Sequence, residues 1–324
     1  MSRREDPVAH EKLNVVRTIG ELRQVTAGWR KLGQTIALVP TMGALHAGHL
    51  ALVRLATARA DHTLVSIFIN PSQFAPHEDL ARYPRDEAGD LVKLGQAGSH
   101  LVWAPTPKDM YPVGFATRIV PGGAALGLEA DFRPHFFGAV ATVCCKLFCA
   151  TTPDIAVFGE KDYQQLCVVR QMVRDLNMPL EIVAVPTVRE AVGLALSSRN
   201  AYLSENERAI APVLHRVITD VAAKAGNAVR GPETGDGGPK RPKPAPLVAP
   251  PEGLRHTDPQ LTALDTICAQ AARDLQDAGF AKVDYVAVRE AETLKVVSTK
   301  TDRPLRVLAA AWLGQTRLID NVSA

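Results

Sequence analysis

With 324 residues and 46% hydrophobic content, the chain carries enough apolar side chain for more than one domain with its own core. Lys+Arg 37 against Asp+Glu 34 leave a net charge of +3, which argues against a dedicated nucleic-acid surface and still allows a basic pocket. No run of 18 apolar residues occurs and MSRREDPVAHEKLNVV has no apolar signal core, so neither a membrane-spanning nor a secreted protein is expected. Cys144, Cys145, Cys149, Cys167 and Cys268 show no CxxC or Cys/His metal spacing, and they read as reduced, buried hydrophobes of a cytoplasmic protein.

Residues 1 to 34 hold a frayed start and one helix over Ile19 to Leu32. The stretch Thr35 to Ala60, TIALVPTMGALHAGHLALVRLATARA, organises the rest. Its apolar run Ile36 to Val39, ended by Pro40, predicts a buried strand. Gly43 then lies in a turn, and Leu50, Val53, Ala56 and Ala60 recur at helical spacing. Such a turn sits at the carboxyl edge of a parallel strand and aims free backbone N–H groups at a ligand, which favours a phosphate. His46 and His49, three residues apart, share one side of the first helical turn and could donate to one oxygen-rich group. Gly48 between them would let a flat ligand approach the backbone. The plainer alternative is that one histidine caps the turn and the other lies on the surface.

Thr63 to Asn70 predicts a second buried strand joined by a crossover, so Asn70 and Gln73 would sit at the same edge. Their amides suit a ligand bearing a hydroxyl and a carboxylate, though an ordinary polar loop reads the same way. A helix over Asp86 to Ala97, a strand over His100 to Ala104, a mostly irregular Tyr111 to Phe137 and an apolar core helix over Ala139 to Ala150 follow. Asp154 to Phe158 predicts another strand and Gly159 a turn. Asp162 is expected to cap a helix carrying Gln164 and Gln165 in its first turn. Lys161 on that turn can reach a phosphate as a flexible point charge, where a solvated Glu-Lys-Asp trio would be the plain alternative. Leu180 to Val188 predicts a strand. Ser197, Ser198, Arg199 and Asn200 offer two hydroxyls and a guanidinium on a loop, a compact phosphate clamp.

Ser204 to Ala225 predicts a helix with Ser204 and Glu207 as a capping box. The stretch 226–259 carries eight of the 23 prolines and six of the 23 glycines, and predicts a disordered surface insertion. A helix over Gln260 to Ala278 and strands over Val283 to Arg289, Leu305 to Leu313 and Thr316 to Asp320 complete the chain, the last two forming a hairpin across Gly314-Gln315. The expected division is 1–187, a parallel α/β sheet domain, and 188–324, a smaller α/β domain with the insertion.

Four motifs in order, PTMGALHAGH, the Asn70 to Gln73 stretch, FGEKDYQQL and GLALSSRN, resemble those of the pantothenate synthetases. These enzymes belong to the His-x-Gly-His nucleotidyltransferase type, and the resemblance spans nearly all the chain outside the first 30 residues and the insertion. It implies a Rossmann-like domain with a small C-terminal lid. The implied reaction is ATP-dependent condensation of pantoate with β-alanine through pantoyl adenylate, releasing AMP and pyrophosphate. By residue-for-residue match it implies that Met42, Gly43, His46, Gly48, His49, Gly159, Glu160, Lys161, Asp162, Val188, Leu196, Ser197, Ser198 and Arg199 surround ATP. Gln73, Asn70 and Gln165 would hold pantoate and β-alanine. His46, His49, Lys161 and Arg199 would meet the charge that develops on the phosphates. Mg²⁺ would bridge phosphates with no protein ligand named, and the partners would be these small molecules and a second copy in a homodimer, with no nucleic acid or membrane. In RPHFFGAVATV the family's histidine position is Phe136 and its glycine position is Ala139; this departure resembles eukaryotic-type members, and His135 receives no role. A related adenylyl-transferring enzyme acting on another small acid, or a non-catalytic nucleotide-binding module, are the alternatives to test.

Overall fold

The computed structural model describes residues 13–76, 78–230, 259–297 and 301–324. The frayed start over the first 12 residues and the core of the expected insertion, 231–258, lie outside the described residues. In chain order the elements are β1 (Asn14–Val16), α1 (Ile19–Lys31), β2 (Ile36–Thr41), α2 (Ala47–Arg59), β3 (His62–Ile67), α3 (Glu87–Gln96), β4 (Leu101–Trp103), α4 (Pro107–Met110) and α5 (Glu129–Phe132). Then come α6 (Phe136–Thr151), β5 (Ile155–Gly159), α7 (Tyr163–Asp175), β6 (Glu181–Val185), α8 (Glu205–Ile210), α9 (Val213–Arg230), α10 (Pro259–Asp277), β7 (Lys282–Glu290), β8 (Leu305–Leu313) and β9 (Thr316–Ser323).

Six strands form one parallel sheet in the order β1-β4-β3-β2-β5-β6. Alternation along β2 explains why it must lie inside: Ile36 and Leu38 enter the core beneath α6 and α7, while Ala37 and Val39 enter the core beneath α2. A parallel strand buried on both faces reads as a continuous apolar run, as TIALV does. The chain steps outward from β2 through β3 to β4, then returns to the other side of β2 for β5 and β6. The strand order therefore reverses between β2 and β5, the position where open α/β sheets hold ligands at the carboxyl edge.

Several boundaries differ from expectation for local reasons. Pro40 does not end β2, which continues to Thr41 opposite Ile67. The ladder to β5 stops at Leu38, so the missing N–H of Pro40 costs no bond there. β3 stops at Ile67 rather than Asn70. β6 ends at Val185 because Pro186 cannot continue it, which leaves Val188 in a loop. The single helix expected over Ser204 to Ala225 is two, α8 and α9, broken at Pro212, and the capping box of Ser204 with Glu207 is present. Gly226 to Arg230, expected to open the insertion, belong to α9. Cys144 and Cys167 are buried as expected, whereas Cys149 is exposed on α6.

The second sheet is antiparallel, β7-β8-β9, with a two-residue hairpin in which Leu313 pairs Thr316 and Gly314 takes φ +56. On β8, Val307, Ala309, Ala311 and Leu313 pack against α9 and α10, while Leu308 joins the core of the parallel domain. The small sheet is thus covered on both faces. Register puts Asn321 opposite Leu308 and Arg317 opposite Trp312, so both face the larger domain.

Candidate active site

A cavity of about 620 Å³ opens where β2 and β5 end, walled by loops from both sheets. The turn after β2 is tightly shaped: Gly43 has φ +80 and Ala44 φ +51. Asp90 of α3, almost fully buried, holds it by accepting from the Ala44 and Leu45 N–H groups at 2.8 Å each. Lys93 Nζ donates to the Leu45 carbonyl at 3.0 Å. Gly43 itself is buried and shapes the turn without lining the cavity; a Cβ there would meet Asp90 Oδ2 at 3.2 Å.

His46 is the N-cap of α2, and its Nδ1 accepts the Gly48 N–H at 3.2 Å. His49 Nδ1 accepts the His46 N–H at 3.4 Å, which closes a reciprocal box. Neither expected alternative is complete: His46 caps the helix and lines the cavity at once, and His49 lines it too. With each Nδ1 occupied as an acceptor, a neutral ring carries its proton on Nε2, and Nε2–H is the donor left to a ligand. Both rings stay neutral near pH 7. Burial, then the Lys161 charge, lowers His46 to about 4; burial, then His46, lowers His49 to about 3. The rings lie 4.1 Å apart between centroids. Gly48 is needed chiefly for His46, since a Cβ at 48 would come within 2.9 Å of its Cε1.

From β5 the chain enters a 3-10 turn, Glu160–Asp162, leading into α7. Gly159, Lys161 and Asp162 line the cavity, and Lys161 Nζ is 3.9 Å from Asp162 Oδ1. Asp162 occupies the N-cap position of α7, but its side chain makes no capping bond, contrary to the expected role. Glu160 turns away from the cavity: its carboxylate pairs with Arg306 Nη2 at 3.0 Å. Gln164 and Gln165 both line the cavity, but the Gln164 amide is spent on backbone, donating to the Ala124 and Gly127 carbonyls and accepting from the Glu129 N–H.

Met42, Val188, Leu196, Ser197, Ser198 and Arg199 line the same cavity. Ser197 caps the 3-10 turn Ser198–Tyr202 through the Arg199 N–H, and Ser198 Oγ is 3.5 Å from the Tyr83 hydroxyl. Arg199 is held edge-on by Asp79, through Nε at 3.1 Å and Nη2 at 3.0 Å, leaving Nη1 unengaged by that carboxylate. Gln73 lines the cavity as expected, but Asn70 does not. Asn70 is buried, and its Nδ2 donates to Gln73 Oε1 at 2.9 Å while its Oδ1 accepts from the Ser72 and Tyr111 hydroxyls at 2.8 Å. It therefore orients Gln73, whose amide Nε2 becomes the donor available to a ligand. Phe136, at the family's histidine position, packs under the Arg133 guanidinium at 3.9 Å, and Arg133 Nη2 donates to the Gln73 carbonyl at 2.9 Å. Arg133 opens the RPHFFGAVATV stretch, whereas Asp79, Asp90 and Asn321 carry no sequence signature of their own. Only their partners reveal them.

The family model described as pantoate-beta-alanine ligase matches residues 14–323. A pantothenate synthetase of Mesorhizobium japonicum is 50% identical over 308 residues, 95% of this chain and 96% of that relative. The crystal structure of pantothenate synthetase from Thermus thermophilus covers 96% of this chain and 99% of its own, at 40% identity and a TM-score of 0.76. A pantoate-beta-alanine ligase from Francisella tularensis, solved complexed with beta-gamma ATP and beta-alanine, covers 96% and 97% at 28% identity and a TM-score of 0.71. These relatives are bacterial, so the eukaryotic-type lineage expected from Phe136 finds no support in them. A match this long, at this identity and with the parallel sheet and small antiparallel sheet in common, assigns the chain to the pantoate–β-alanine ligase family.

Proposed function

We propose that the chain condenses pantoate with β-alanine at the expense of ATP, in two steps within the cavity at the β2–β5 edge. In the first, a pantoate carboxylate oxygen attacks the α-phosphorus, the bond to the pyrophosphate oxygen breaks, and pantoyl adenylate forms. In the second, the β-alanine nitrogen attacks the activated carbonyl carbon, the carbonyl–oxygen bond to AMP breaks, and the nitrogen releases its proton to solvent. The products are pantothenate, AMP and pyrophosphate. The attacking carboxylate is already an anion and needs no general base.

The observation that carries this reading is that residues of four sequence-distant motifs line one cavity. Negative charge builds on the non-bridging α-phosphate oxygens and on the leaving pyrophosphate. Fixed donors stabilise it best where water is excluded. Neutral His46 and His49 offer Nε2–H, Lys161 and Arg199 offer positive charge, and Ser197 and Ser198 offer hydroxyls. The backbone of Gly159 to Asp162 approaches the nucleotide, Glu160 contributing only through its main chain. Met42, Gly43, Gly48, Val188 and Leu196 shape the nucleotide wall, Gly43 through its turn. Gln73, oriented by Asn70, and Gln165 hold pantoate, and Gln73 also meets β-alanine.

Mg²⁺ enters as the counterion of the nucleotide's phosphates and would supply charge neutralisation there. Its ligands would be the phosphates and water, with no protein ligand named and no step assigned to it. The division at 187/188 into a nucleotide- and pantoate-binding domain and a lid, a homodimer and a cytoplasmic location belong to the same proposal. Among the described residues no helix is long and apolar enough to cross a membrane.

The test is pantoate-dependent ATP–pyrophosphate exchange, followed by AMP release on adding β-alanine. Exchange that other small acids support equally would point to a different adenylyl acceptor. ATP binding without exchange would mean a non-catalytic module.

A further inference from the structure

The turn that carries Lys161 is gripped from the opposite sheet. Asn321 on β9 is 3% exposed, and its Nδ2 donates to the carbonyls of both Glu160 and Lys161 at 2.9 Å. Its Oδ1 accepts from Arg306 Nε on β8 at 2.8 Å. Arg306 extends the grip, with Nη2 on Glu160 Oε2 at 3.0 Å and its guanidinium stacked 4.0 Å over the Tyr163 ring. Antiparallel register places both residues on the face of the small sheet that meets the parallel domain. Behind them, Asp320 holds the loop that leads to Ser197 by pairing with Arg189 at 2.6 and 2.8 Å.

We propose that Asn321, held by Arg306, is a positioning residue for adenylate formation: it sets the aim of Lys161 by fixing the two peptide carbonyls on which that side chain is mounted. A lysine has four rotatable side-chain bonds, so its ammonium is placed only as well as its backbone is. The 3-10 turn is short and precedes the helix, and Asp162 does not cap it. A single amide bridging adjacent carbonyls fixes the main chain of the turn, and it comes from the small sheet. The C-terminal sheet thereby acts on the chemistry of the first step as well as covering the cavity. This rests on the assignment of Lys161 to the nucleotide's phosphates.

A double-mutant cycle on the full chain tests it, using pantoate-dependent ATP–pyrophosphate exchange and, separately, attack of β-alanine on supplied pantoyl adenylate. Lys161→Ala alone must lower exchange; if it does not, the phosphate assignment of Lys161 itself falls. Asn321→Asp keeps the volume and the acceptor for Arg306 but removes both donor bonds, and a small misplacement of a catalytic charge costs about 10- to 100-fold. The expected result is that loss in exchange, a pantoate KM within threefold of the parent, and attack on supplied adenylate within threefold. In a Lys161→Ala background, Asn321→Asp should lower exchange by less than twofold. A full multiplicative loss in that background, or equal losses in both half-reactions, would overturn the proposal while leaving the Lys161 assignment standing. Should Asn321→Asp not fold, Arg306→Met, which keeps the packing on Tyr163, decides by the same cycle with a smaller expected loss.

Discussion

His49→Ala should separate two functions that one imidazole performs. The ring lines the cavity with Nε2–H as its free donor, and its Nδ1 accepts the N-cap N–H of His46 at 3.4 Å. Removing a donor aimed at developing charge costs about 10²- to 10³-fold in rate, or about 2.7 to 4 kcal/mol of transition-state stabilisation. Removing the acceptor leaves one helix-start N–H without its partner, and at that long distance the loss falls at the low end of a cap, about 0.5 kcal/mol. Exchange should therefore collapse while the urea midpoint moves little. His49→Gln restores the usual capping-box partner and should recover the stability without recovering the rate. The assay is pantoate-dependent exchange of labelled pyrophosphate into ATP, paired with urea unfolding of the same preparations. Parent-like exchange in His49→Ala would refute the donor role. A midpoint loss large enough to account for the rate would refute the separation.

The lowered pKa of His49 also predicts how stability depends on pH. The folded value of about 3 lies below the ordinary 6.5, so the unfolded chain binds the proton first and stability from this group falls as pH drops below 6.5. At pH 5 the loss is about 2 kcal/mol from this ring, on 1.36 kcal/mol per unit. His49→Ala should lack that increment, and identical pH dependence in parent and variant would show the ring is not buried neutral. Asn70→Ala should raise the pantoate KM roughly tenfold by freeing Gln73, with about 1–3 kcal/mol of stability lost from stranded buried partners. An unchanged KM would place pantoate elsewhere. Gly48→Ala should cut exchange at least about tenfold by displacing the His46 ring despite the roughly 1 kcal/mol helix-propensity gain of alanine. Normal exchange with a stabilised helix would show the ring can yield.

Most of the strands, the motif-bearing turns and many of the side chains that line the cavity were legible because they follow local rules. Apolar runs of strand length, Gly43 before a helix start, and Lys161 on a post-strand turn each carry their meaning within a dozen residues. The capping box at Ser204 was readable on the same ground, and the break at Pro212 was readable and missed. β1 was missed because three residues show no periodicity; it is a strand only through its pairing with β4.

By itself, then, the sequence determined that a parallel α/β sheet would present two histidines, a lysine and a serine–arginine loop at strand ends. Tertiary structure alone decided which of those groups are free to act. Asn70 and Glu160 were indistinguishable from ligand residues until the fold gave the first to Gln73 and the second to Arg306. Asp90, Asp79 and Asn321, ordinary polar residues in sequence, became the supports of the site. The physical reason is that a polar side chain's role is set by its hydrogen-bond partners. Those lie 46, 120 and 160 positions away in these three cases, beyond the reach of any local pattern.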